Sequence, residues 1–248
     1  MGQLGEKIED SLLAIIGDVR GSRLSQDRPA LQRRLETGLM VVNQECRRYL
    51  VADFVITLGD EFQGLLGAAS SAMLVLAELD TVFAGIPVRY GLGWGGLTTP
   101  IRPQAVGMDG PCFHAARGAL TRSKRAQRWV TIEGFGQEND TILNGILGLI
   151  GGVRTRWKPK QAETVALMRK ARLQKEVAAS RGVVESVVSD TLKAALYGPM
   201  LAAEQAVSEL LRRFTVPTDT ASPAKKGLAG SITVEHDPLK QPGRTRER

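Results

Sequence analysis

Two cysteines and two histidines are all that this 248-residue chain has in the way of soft metal ligands. Cys46 and Cys112 sit at neither disulfide-framework nor ligand spacing, and neither His114 nor His236 has a partner at a metal-binding interval. A disulfide scaffold and a Cys/His metal centre are therefore excluded. The cysteines are expected as buried, reduced thiols, and the histidines as packed or exposed side chains without a catalytic role. Long apolar runs are also missing. The stretch from Ser11 to Gly17 is of strand length, well short of the ~20 residues a membrane span needs. The opening MGQLGEKIED is neither a secretory signal nor a basic transit peptide. There is no internal repeat, no P-loop and no Gly-x-Ser-x-Gly. Together these absences predict a cytoplasmic protein with no membrane contact.

What is present suits a folded core. Hydrophobic residues make up 43% and charged residues 24%, and the length allows one large domain or two modest ones. The net charge of +7 is unevenly spread. Residues 1–153 hold 15 Lys/Arg against 16 Asp/Glu, residues 154–214 hold 12 against 6, and residues 215–248 hold 6 against 4. Nearly all the excess thus lies in 154–214, where a polyanion would be attracted.

Apolar patterning predicts strands at Leu12–Ile16, Phe54–Leu58, Val88–Leu97 and Trp129–Ile132. It predicts helices over Ala30–Leu50, Ala68–Phe83 and Gly110–Leu120. With a hairpin at Gly59-Asp60, the order is strand–helix–strand–strand–helix–strand, that of a ferredoxin-like α/β sandwich. Composition changes at Gly151-Gly152 and the basic residues after it, and from there to Phe214 the pattern is helical. The expected division is an α/β domain at 8–152, an all-α domain at 153–214, and a disordered basic tail at 215–248, marked by Pro217, Pro223, Pro238 and Pro242.

Within the helical part, Pro159 suits a first helical turn, and Gly182 supplies the positive φ of a sharp turn four residues after the small Ala178. Val177, Val183, Val188 and Leu192 would hold two short helices at their angle. The run from Gln174 to Lys193 resembles the helix-turn-helix of sigma-factor region 4, whose pattern is Gln-Lys-Glu-(Ile/Val)-Ala, Gly-Val, then Ser-x-Val-Ser. The resemblance implies that double-stranded DNA is bound. Glu185, Ser186, Ser189, Asp190 and Lys193 would face base edges, and Lys158, Lys160, Lys175 and Arg181 would face phosphates. The alternative is a helical hairpin for protein contact. Glu185 and Asp190 put negative charge on the reading helix. A further helix over Ala202–Leu211 is expected to pack within the chain or to join a homodimer through Ala203, Ala206, Val207, Leu210 and Leu211.

In the α/β part, Asp18 ends a buried strand and Asp60 occupies a hairpin turn. Two carboxylates at adjacent strand ends can hold Mg²⁺ together with a nucleotide's phosphates. Arg89 to Gly93, the turn Gly107–Gly110, and Phe113 to Arg117 accompany them. In order, these motifs resemble the catalytic palm of class III nucleotidyl cyclases and, more loosely, the GGDEF domain. That resemblance implies Asp18 and Asp60 as metal ligands, and Ser22, Arg23, Gly59 and Arg117 as nucleotide-binding residues. The cyclase Asn falls on Phe113 and the base-reading Lys on Ile56, so two catalytic groups are missing. Binding without turnover is expected ahead of cyclisation. The remaining alternative is a palm that binds nothing, in which Asp18 and Asp60 are turn residues.

The segments Ala14–Arg23 and Ile56–Leu65, followed by the helical hairpin, are similar to the SatD family over about residues 12–210. That family pairs such a domain with a helix-turn-helix. The function expected from the resemblances is a DNA-binding transcriptional regulator whose palm-like domain senses a nucleotide or a divalent metal. The rival is a nucleotide-processing enzyme using Asp18 and Asp60 with Mg²⁺.

Overall fold

The computed structural model describes residues 11–22, 27–171 and 173–214, all within one compact unit spanning residues 1–216. The expected tail at 215–248 and Arg23 lie outside the described residues. The core is a five-stranded sheet in the order β2-β3-β1-β4-β5. Strand β1 (Leu12–Val19) is central and runs antiparallel to both β3 (Glu61–Leu66) and β4 (Val88–Gly95). Strand β2 (Leu50–Leu58) forms a hairpin with β3, and β5 (Val130–Glu133) adds parallel to β4. Helices α1 (Arg28–Glu45) and α2 (Ala72–Val82) cover one face, and α3 (Pro111–Arg125) covers the other.

Why Leu12–Ile16 is apolar at every position, rather than alternating, follows from this sandwich. Leu13 and Ile15 enter the cluster under α1 and α2, while Ala14 and Ile16 enter the cluster under α3. The predicted element order holds, with shifts at the ends. Helix α1 starts at Arg28, before Ala30, because the Asp27 carboxylate accepts from Ala30 N–H at 2.8 Å and caps the first turn. Strand β2 is longer than the apolar run suggests. Asn43 supports it by donating to the Phe54 carbonyl and accepting from the Phe54 N–H, at 2.9 and 2.7 Å. The glycines of β4 have a direct reason. A Cβ on Gly91 or Gly93 would overlap the backbone of α3 at Ala116 and its neighbours, so α3 can lie against β4 only because these side chains are absent.

Helix α4 (Gln137–Arg154) was not expected as a separate element. Its glycines at 145, 148, 151 and 152 dilute the apolar periodicity that marks a helix. It packs on β5, and its last turn leads into α5 (Pro159–Lys170), α6 (Gln174–Arg181), α7 (Glu185–Ala194) and α8 (Tyr197–Arg212). Val165, Val177, Val188, Leu192, Met200, Val207 and Leu211 belong to the same buried cluster as Leu13 and Ile15. The helices expected as a domain at 153–214 therefore share the core of the α/β part. Helix α8 returns to α2 and α4, and Phe214 packs edge-on against Phe135 at 4.9 Å, with Phe135 stacked on Trp94. Val207 and Leu211, expected at a dimer contact, are buried within the chain, and Ala203 and Leu210 pack against the same core.

Candidate functional site

The charged residues at the ends of the central strands separate onto two faces of the sheet. In β1, Asp18 stands opposite Glu61 of β3 and Arg89 of β4 in the ladder. Its carboxylate faces α3, where Lys124 donates to it at 2.7 Å. Glu61 on the same face is paired with Arg117 of α3. Thr57 donates weakly to the Glu61 carboxylate at 3.4 Å, and Arg89 donates to Gln127 at 2.5 Å. Burial and nearby Arg20 lower the Arg89 pKa, while Asp18 opposes the shift. The α3 face thus carries a charge network whose carboxylates each have a cation of their own.

Asp60 belongs to the other face. It sits in the Gly59-Asp60 turn, where Gly59 has φ +61°. Its carboxylate accepts from the Ser22 hydroxyl, and its carbonyl from Val19 N–H at 3.3 Å. Ser22, Gly59 and Asp60 line a cleft of about 240 Å³ against the first turn of α1, together with Arg28, Pro29 and Gln32. The structure therefore brings Ser22, Gly59 and Asp60 together in one cleft, and pairs Asp18 with Lys124 and Arg117 with Glu61 on the α3 face. Divalent magnesium wants carboxylate oxygens converging in octahedral geometry. Here Asp18 is held by Lys124 and Asp60 by Ser22, and no group of three His, Cys, Asp or Glu side chains is close enough for a metal among the described residues. Asp18 and Asp60 each have a partner within the chain, and no chemical step is derived through a metal. His114 is exposed and contacts Asp109 at 2.7 Å.

In the helical part, α6 ends at Gly182, with φ +63° and ψ +36°. The Val183 N–H reaches the Ala178 carbonyl at 3.0 Å and the Gly182 N–H reaches the Ala179 carbonyl at 3.2 Å, the paired bonds of a Schellman stop. Three residues after Gly182, α7 begins at Glu185. Val188 and Leu192 point into the core, while Glu185, Ser186, Val187, Asp190 and Lys193 are exposed and Ser189 is half-buried. Trp157 fixes the far end of α7 by donating its indole N–H to the Ala195 carbonyl at 2.9 Å. Lys158, Lys160 and Gln161, at the start of α5, border α7 across a groove of about 690 Å³ that Val187, Asp190 and Thr191 also line. Lys175 is exposed. Arg181, expected at a phosphate, instead has a side chain only 10% exposed and lies 3.9 Å from Glu163, so it packs the hairpin from inside.

A model of the SatD family matches residues 12–211, most of the chain. The chain belongs to that family. Among solved structures, it is similar to the dimeric guanylyl cyclase domain of the RhoGC fusion protein from Blastocladiella emersonii, at 16% identity over 45% of this chain and 74% of that one, with a TM-score of 0.37. The guanylate cyclase domain of RhGC from Catenaria anguillulae in complex with GTP is similar at 16% identity, 45% and 72% coverage, and TM-score 0.37. The Regulator of Polyketide Synthase Expression from Bifidobacterium adolescentis matches over 82% of this chain and 85% of that one, at 14% identity and a TM-score of 0.24. Likenesses this distant carry no argument about activity. No curated protein matches the chain.

Glu61 and Lys124 are the members of this SatD-family chain's strand-end network that motif reading passed over. Glu61 was legible in principle, because a residue directly after a two-residue turn shares its face with its cross-strand partner Asp18. Lys124 lies 106 residues from Asp18 and had no local signal.

Proposed function

We propose that α6 and α7 form a helix-turn-helix that binds double-stranded DNA, with α7 in the major groove. The observation that carries this reading is the outer face of α7. Glu185, Ser186, Asp190 and Lys193 are exposed, while the opposite face is anchored by Val188 and Leu192 in a rigid core. The twelve Lys/Arg against six Asp/Glu in 154–214 supply the field, and exposed Lys158, Lys160 and Lys175 supply the phosphate contacts. Glu185 and Asp190 suit cytosine amino groups, and Ser186 and Ser189 suit several bases. Arg181 contributes by holding the hairpin, not by touching DNA.

In this reading the sheet and the strand-end charge pairs are the platform for α7. Nucleotide turnover is not part of it: the Asp18 and Asp60 carboxylates are taken up by Lys124 and Ser22. Any response to a nucleotide or a metal would act through the platform, by disturbing the Asp18–Lys124 or Asp60–Ser22 contacts.

Fluorescence anisotropy of the full chain on duplex DNA across a salt series tests the proposal. Three lysine–phosphate contacts predict a slope of log K against log salt of about −3, and Lys158→Ala with Lys160→Ala should reduce its magnitude by about two. Ser189→Ala with Lys193→Ala should lower the preference for a selected site over random duplex more than it lowers random binding. Absence of binding to any duplex at about 50 mM salt would overturn the reading.

A further inference from the structure

A separate basic groove lies between the end of α3, the free edge of β5 and the first half of α4, with a volume of about 840 Å³. Three arginines line it: Arg122 and Arg125 in the last turn of α3, and Arg128 in the bend leading to β5. Its floor includes buried Thr131 and Ile132, and Gln137, Thr141 and Asn144 add polar groups from α4. The size is that of a small-ligand site.

The charges around the groove are not all neutralised. Arg122 is paired with Glu133. The Asp140 carboxylate is taken up by the backbone N–H groups of Gly134 and Phe135 at 3.1 and 3.0 Å. Asn144 closes the edge of β5 by accepting from Ile132 N–H and donating to the Ile132 carbonyl, which bars strand addition there. Arg125 and Arg128 have no acidic partner among the described residues, and both are exposed. Lys124, which sits between them and the strand ends, is already committed to Asp18. The bend that carries Arg128 is held in place. Gln127 adopts φ +52°, its side chain bridges Arg89 and the Lys124 carbonyl, and Arg128 N–H donates to Ser123 O at 3.0 Å.

We propose that this groove binds a phosphate-bearing anion, with Arg125 and Arg128 as the two guanidinium forks that receive it. Arg122 orients the rim through Glu133, and the Gln137 side-chain amide is a further donor on the lining for the phosphate oxygens. None of its lining residues lies on α7, so its tripolyphosphate titration is read separately from DNA reading by that helix, while its duplex arm rests on that reading. Phosphates reach it either as a free oligophosphate or as the backbone of bound DNA.

Titration calorimetry of the full chain with tripolyphosphate at low salt, paired with duplex anisotropy on the same variants, tests the site. A free anion predicts that wild type binds tripolyphosphate, that Arg125→Gln with Arg128→Gln weakens this at least about tenfold, and that DNA binding is unchanged. A DNA-borne phosphate predicts no tripolyphosphate binding, with the double variant lowering the duplex salt slope by about two. Arg33→Gln, an exposed arginine of α1, should alter neither measurement. Circular dichroism confirms that each variant is folded. The proposal is overturned if the double variant matches wild type in both titrations, or if Arg33→Gln reproduces its losses.

Discussion

Arg154, the last residue of α4, places a guanidinium nitrogen 2.6 Å from Asp80 of α2 and centres its charge 4.3 Å over the Trp129 ring. The other carboxylate oxygen of Asp80 faces the Trp129 indole N–H and the Tyr90 hydroxyl, each at 3.4 Å. Trp157 lies 5.5 Å from the same guanidinium and holds the Ala195 carbonyl beyond α7. One ion pair thus joins the sheet, the helix that leaves it and the helices that follow.

Removing one half of that pair should cost more than removing both. Each side chain is 17% exposed, so the penalty sits below that of a fully buried pair. Arg154→Met should cost about 2 kcal/mol in urea denaturation, and Asp80→Asn with Arg154→Met should recover part of it. Equal losses for single and double variants would show that the pair contributes only packing.

The same carboxylate predicts a pH dependence. Burial raises the Asp80 pKa, against the lowering effects of Arg154 and the Trp129 hydrogen bond. The folded state therefore holds this proton more tightly than the unfolded chain. The contribution is fully present below the unfolded pKa of about 4 and is lost as pH rises through the folded value. Asp80→Asn should remove that decline, so wild type minus variant stability should fall with rising pH. A difference that rises with pH would contradict the assignment.

Gly182 stops α6 in the left-handed region. Gly182→Ala should cost about 1 kcal/mol through backbone strain alone, because a Cβ there meets no neighbour. Gly182→Asn should cost less, since asparagine tolerates this conformation. Both are read from thermal or urea midpoints, and identical losses for the two would point to a cause other than φ.

Gly93→Ala is a steric test of a different kind. Its Cβ would overlap backbone atoms of α3 at Cys112 and Ala116, which cannot swing aside like a side chain. Loss of about 3 kcal/mol or failure to fold is expected, in contrast to Gly182→Ala. A soluble, fully stable Gly93→Ala would mean that α3 does not lie against β4.

The two thiols should be inert in the native protein. Burial first, with Glu78 and Glu45 adding to it, pushes Cys46 up to about 11. Burial likewise pushes Cys112 up to about 11, against opposing backbone hydrogen bonds. Iodoacetamide at about pH 8 should leave both unlabelled by mass spectrometry until urea unfolds the chain. Labelling of either cysteine in native buffer would place it outside the core.

Local pattern by itself determined the strand and helix order as far as β5, the apolar density of β1, the Gly59-Asp60 turn and the Gly182 stop. Each of these depends on residues two to five positions apart, which a chain meets in sequence order. Tertiary structure alone decided the rest. Asp18 and Asp60 look like a pair when read along the chain, but their partners, Lys124 for one and Ser22 for the other, come from elsewhere in the fold. Arg181 turns inward beside Glu163, and Val207 and Leu211 of α8 are buried as that helix packs on α2 and α4. A charge or an apolar face takes its role from the neighbour that reaches it, and here those neighbours arrive from other elements of the chain.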